Sequence, residues 1–160
     1  MDQKTFFLKY WEQEAPATRK VIERIPNHKA DYRPDPKART AREIAWVLVQ
    51  VEIAVGEGLP KGLIDWTDAP VPATMAEILA LYDRRHADLT KALRAIDPKR
   101  WDDPVPLMFG GQEVMKQPAF EMAWGFLLDA IHHRGQLSTY LRPMGSKVPQ
   151  IYGPSADEPM

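Results

Sequence analysis

An all-α fold, a four-helix bundle, is what this chain of 160 residues predicts, and three observations carry that expectation. Apolar residues recur at helical spacing in four separate stretches. Two of those stretches open on a Thr-x-x-Glu capping box, a sequence mark of a helix N-terminus. Proline, 15 residues in all, falls mostly between the stretches and punctuates them.

The first stretch runs from about Thr5 to Arg24, with Phe7, Trp11, Glu14, Thr18, Val21 and Ile25 on one stripe. Pro16 lies inside it, where a missing backbone donor predicts a kink, and Pro26 ends it. The second opens at the Thr40–Glu43 box and carries Ile44, Val47, Leu48, Val51 and Val55, with Gly56 and Gly58 expected to close it. The third opens at the Thr74–Glu77 box and continues through Ile78, Tyr82, Arg85, Leu89, Leu93 and Ile96 to Asp97-Pro98. The fourth spans about Pro118 to Leu141. Its first half holds Phe120, Met122, Trp124, Phe126, Leu127 and Leu128, apolar nearly all round, which predicts a central helix. Before it, Pro104–Gln112 alternates around Gly110-Gly111 and reads as a short extended arm or hairpin, with no credible larger sheet. The segment from Gly145 to Met160 is expected to lie extended over the surface. Nothing in composition marks a second domain, so residues 1–160 read as one unit. The long connections between the helices call for at least one crossover.

Composition narrows function by exclusion. Lys and Arg number 21 against 22 Asp and Glu, a formal net charge of −1, with no basic block. Nucleic acid and anionic membrane therefore have no electrostatic support as partners. There is no cysteine, which excludes disulfides, thiolate metal sites and a cysteine nucleophile. No apolar run approaches the length of a membrane span and the N-terminus lacks a signal-peptide layout, so a cytoplasmic protein is expected. Hydrophobic residues at 44% and charged residues at 27% match a folded domain.

One place breaks its own pattern. Asp129 interrupts an apolar run, and a buried carboxylate without a partner is costly. His133 stands at i+4 from it, one turn along the same face, and Gln136 follows at the next turn. Two donors so spaced on a bundle helix form half a metal site; an Asp–His pair that only orients the imidazole has the same spacing. His132 points elsewhere, to a surface or pocket edge. Gly135 within the helix suggests close approach of another segment. His28 reads as a solvated loop residue and His86 as a helix-flank residue able to reach a pocket. Arg134 could pair with an acid on a neighbouring helix or hold an anion. Gly110-Gly111 lacks the context of a phosphate loop, and Ser138 has no base and no nucleophile elbow. Trp11, Trp46 and Trp124, with Phe7 and Phe126, read as core or dimer-face aromatics.

The run His132-His133-Arg134-Gly135-Gln136-Leu137-Ser138-Thr139-Tyr140-Leu141-Arg142, followed by Val148 to Asp157, resembles the DinB/YfiT-like superfamily. Asp31 to Lys37 and Arg42 to Trp46 resemble the segment leading into that family's second helix. The resemblance implies an up-up-down-down bundle, usually a homodimer, holding a divalent metal on three histidines. One of these lies on the second helix and two lie at i, i+4 on the fourth. His133 matches one of them; Asp129 stands at another, and the second-helix position falls on Val47. Asp129 and His133 are thus the candidate metal ligands, for nickel, zinc, manganese or iron, with Val47, Gln50, Gln136 and His132 as candidate pocket residues. Gln50, Glu43 or Glu52 would have to complete the set. Two functions follow from the resemblance. One is a metal-dependent enzyme of hydrolase or thiol-transferase type with a degenerate site, acting on a small molecule. The other is a non-catalytic dimeric binding or stress-response domain in which Asp129–His133 is structural.

Overall fold

The structure, a computed structural model, describes residues 1–67 and 69–159. Four helices form: α1 (Gln3–Glu23), α2 (Ala41–Lys61), α3 (Met75–Ala95) and α4 (Ala119–Leu141). Both expected capping boxes are present. The Thr40 and Thr74 hydroxyls accept from the Glu43 and Glu77 amides, each at 3.2 Å, and the two glutamates accept in return from the threonine amides at 2.7 and 2.9 Å. Each box satisfies two donors that a helix start leaves free. Helix α1 runs uninterrupted across Pro16.

Helix α2 packs against α3 and α4, and α1 packs against the same two. Consecutive helices α1 and α2 therefore lie diagonally across the bundle, and the chain between them crosses one end. Helix α4 is one of four corners, not a central helix. Leu128 is 58% exposed and Gly125 is also exposed, so the apolar half of α4 spills onto the surface.

The fold is not purely helical. Three short strands, β1 (Ile64–Trp66), β2 (Pro104–Phe109) and β3 (Gln112–Pro118), form a sheet in that order, β1 parallel to β2 and β2 antiparallel to β3. The expected arm is the β2–β3 hairpin, and Gly110 and Gly111 turn it with φ of 58° and 78°, a conformation that suits residues without a Cβ. Strand β1 was not legible, because three residues are too few to show alternation.

Gly56 and Gly58 do not end α2, which continues to a left-handed cap at Gly62 (φ 74°). They are packing residues. A Cβ on Gly56 would lie 2.1 Å from Leu89 Cβ of α3, and one on Gly58 would lie 2.5 Å from Ile64 Cγ1 of β1. Gly135, in contrast, faces open space, and no segment approaches it.

Two apolar clusters fill the bundle. One gathers Val21, Ile22, Ile44, Leu48, Ile78 and Leu141; the other gathers Phe7, Trp11, Val55, Leu93, Trp101 and Met122. Between them lie the buried polar residues Glu14, Thr18, Glu52, Thr90 and Arg134. The C-terminal segment lies along the surface, as expected, and is tied down at several points. Arg142 Nε donates to Asp157 at 3.0 Å, and the Gln150 amide donates to Glu158 at 2.8 Å. Among the described residues no helix is long and apolar enough to cross a membrane.

An exposed helical Gly→Ala change ordinarily stabilises by about 1 kcal/mol. At position 56 the clash with Leu89 outweighs that gain, and Gly56→Ala is expected to destabilise by about 1–3 kcal/mol. Denaturant melts check this. Leu89→Gly, which removes the clashing Cβ, should cost less in the Gly56→Ala background than in the parent, because it relieves that contact.

Candidate functional site

The fourth-helix candidates meet one another on the helix they share. His133 Nε2 lies 3.5 Å from Asp129 Oδ2, and His133 Nδ1 lies 2.9 Å from Gln136 Oε1, so the imidazole is held between a turn below and a turn above. The His133 side chain is only 14% exposed, but that of Asp129 is 50% exposed. The expectation of a buried carboxylate therefore fails: Asp129 interrupts the apolar run on the side that meets water. His132 is exposed and its ring leans on that of His133 at 5.4 Å between centroids.

The second-helix candidates lie in different surroundings. Val47 is 8% exposed and joins the apolar cluster of Trp11, Ala123 and Leu127. With Gln50 it borders a groove of about 350 Å³ whose lining includes Arg33, Lys37, Arg39, Trp46 and Trp66, and neither Asp129, His133, His132 nor Gln136 is part of that lining. That groove therefore brings together only Val47 and Gln50 of the six candidate residues. The Gln50 amide donates to Thr67 O at 3.3 Å, Glu43 is engaged in its capping box, and Glu52 bonds elsewhere.

The donor set does not suit a catalytic divalent ion. Such a centre needs three protein donors with an open position. Here the α2 position is an isopropyl group, and among the described residues no three His, Asp or Glu side chains converge closely enough to hold an ion.

The polar chemistry of the bundle interior lies one residue further along α4. Arg134 is 1% exposed. Its Nη1 donates to Glu14 Oε2 at 2.7 Å and to the Glu14 carbonyl at 3.3 Å, and its Nη2 donates to the Tyr152 hydroxyl. That hydroxyl in turn donates to Glu14 Oε2 at 2.7 Å. Although Tyr152 is 69% exposed as a residue, its phenol tip reaches inward to this pair. Of the two roles open to Arg134, the structure adopts the ion pair with a neighbouring helix.

Across the same layer, the carboxylate of Glu52 on α2 meets His86 Nδ1 of α3 at 3.1 and 3.2 Å. The His86 ring stacks on Trp11 and on Tyr82, at 5.9 and 6.1 Å between centroids. Burial raises the Glu52 carboxyl above its ordinary value, against the opposing effect of His86. Burial and the nearby Glu52 charge push the Tyr82 phenol well up. Trp11 Nε1 donates to Thr90 Oγ1 at 3.0 Å, so the indole is also satisfied.

Glu14 and Glu52 could have been found from sequence. Both interrupt apolar helical stripes, the same signal that singled out Asp129. The partner of each lies far along the chain, and pairing across the bundle leaves no local mark.

A model of the DinB family matches residues 1–160. A curated relative, the uncharacterized protein YrdA of Bacillus subtilis, is 29% identical over 95% of this chain and 89% of its own length. A DinB-like protein of Bacillus cereus superposes with a TM-score of 0.75 at 21% identity, over 91% of this chain and 95% of that one. A DinB-like protein of Bacillus subtilis does so at 0.71 and 15%, over 91% and 96%. A variant of the mycothiol-dependent maleylpyruvate isomerase aligns at 0.55 and 12%, over 92% of this chain and 65% of its own. At these identities the structural neighbours speak for the fold.

Glu52 supplies a test of the interior. Its folded-state value lies above the ordinary 4.5, so the folded chain binds more protons than the unfolded one in the range just above 4.5. Stability must fall as pH rises through that range. Glu52→Gln removes this titration, so the parent should lose stability relative to the variant as pH rises from the ordinary carboxylate value toward neutrality. Urea midpoints of both proteins across that range check the sign.

Proposed function

This chain belongs to the DinB family, and from its altered donor set we propose that it is a non-catalytic binding domain of that family, working without a resident metal ion. The observation that carries the reading is Val47. It is buried among apolar side chains where the family resemblance calls for a histidine, leaving Asp129 and His133 as a two-donor set on one helix. In this reading Asp129 and Gln136 orient the His133 imidazole and the trio is structural. A metal-dependent hydrolase or thiol transferase draws support from the fold likeness to the mycothiol-dependent isomerase. It requires a third donor that α2 does not supply.

Elemental analysis of tag-free protein is expected to find nickel, zinc, manganese and iron each well below one per chain, with no rise in melting temperature on adding any of them. Linkage demands such a rise from any ion that binds the folded state. Val47→His combined with Asp129→His should create tight divalent-metal binding and a metal-dependent rise in melting temperature. Stoichiometric metal in the parent, or no gain in a folded double variant, overturns the reading.

We further propose that the protein is a homodimer, joined through the aromatic face of α1 and α4. Phe6 (41% exposed), Tyr10, Phe120 and Trp124 pack edge-on or tilted against one another there, and Leu128 on the same helix is 58% exposed. Covering such a face removes apolar area from water. Light scattering at micromolar concentration is expected to give the dimer mass, and Phe6→Glu with Leu128→Glu the monomer mass.

A further inference from the structure

The groove beside Val47 has a lining divided by chemistry. Its polar floor groups are already spent: Trp46 Nε1 donates to Ala69 O at 3.0 Å and the Gln50 amide to Thr67 O at 3.3 Å. The first of these bonds holds Ala69, which also lines the groove. The apolar members of the lining are Val47, Val71, Trp46 and Trp66, the last with its indole braced by stacking on Phe126 at 5.9 Å and 14°. Arg33, Lys37 and Arg39 also line the groove, and all three are exposed. None of the three forms an ion pair among the described residues; Arg33 makes one long bond, 3.4 Å, to the Pro36 carbonyl. Among the described residues Glu43 is the one carboxylate of the lining; it is engaged by the capping box of α2, and the charges of Arg33 and Arg39 help hold it ionised. Three cations and two indoles therefore line one groove, and the volume of about 350 Å³ suits a small ligand.

We propose that this groove binds a small planar carboxylate, with its ring against Val47, Trp46 and Trp66 and its carboxylate on the guanidinium groups of Arg33 and Arg39. The proposal rests on the metal-independent reading above, since it uses Val47 as an apolar floor and needs no ion. Arg favours this role because its fork can bond both carboxylate oxygens at once. A neutral planar molecule would leave that fork unused, and a bare inorganic anion would leave the indole walls wet.

The probe is benzoate, titrated into the full-length protein in EDTA and followed by amide and indole N–H resonances. The expected result is saturable shifts centred on the Trp46 and Trp66 indoles and on Gln50. Benzamide, the neutral counterpart, should bind about ten-fold more weakly or worse, as should the Arg33→Gln and Arg39→Gln variants toward benzoate; ten-fold is the loss of one charge-assisted contact. Both arginines are exposed, and the variant amide spectra verify that the fold is intact. Inorganic phosphate should not displace benzoate. No saturable shift with or without added zinc overturns this inference alone. Binding that appears only when zinc or nickel is added overturns the metal-independent reading as well. Equal affinity for benzamide, displacement by phosphate, or largest shifts at another surface each overturn the assignment of a planar carboxylate to this groove.

Discussion

A guanidinium shut away from water has to be answered by charge, and the Arg134–Glu14 pair is the constraint that the bundle is built around. Arg134 reaches its partner from α4 to α1 with 1% of its surface exposed. Removing one member of such a pair costs about 3–5 kcal/mol, because the other is left buried and uncompensated. A slip of either helix by one turn would carry a charge into the Phe7–Trp101 cluster or into the Ile44–Leu141 cluster. The pair therefore sets the register of α1 against α4. Glu52–His86 does the same for α2 against α3 with the weaker grip of an imidazole. The polar layer separates two apolar clusters, each drawn from all four helices.

That layer also explains how the C-terminal segment is held. Tyr152 bonds through its hydroxyl to both Arg134 and Glu14, and the ion pairs of Asp157 with Arg142 and of Glu158 with Arg24 fasten the chain beyond it. The surface pairs add little by themselves. The phenol differs from them in bonding to a buried ion pair.

The divergence from the family's metal pattern is local. Val47 and Asp129 stand at positions where the resemblance implies histidines, and both lie within regular helices. At position 47 the side chain completes an apolar cluster with Trp11, Ala123 and Leu127. The close approaches of α2 to α3 at Gly56 and to β1 at Gly58 fix α2 against its neighbours independently of position 47.

Local chemistry was legible in the chain itself. The capping boxes at Thr40 and Thr74, the helical stripes, the hairpin glycines and the His132–Arg142 run all act within a few residues, where spacing along the chain is spacing in space. Contacts between distant elements were not legible. Whether Asp129 faced the core or water depended on which side of α4 met its neighbours. Whether Gly56 ended a helix or admitted Leu89 depended on α3. Strand β1 exists because β2, some forty residues later, offers it a parallel edge. The acids at 14 and 52 announced themselves by interrupting apolar stripes, but their partners at 134 and 86 are set by packing, since a charge is answered by whatever the tertiary fold brings within about 3 Å.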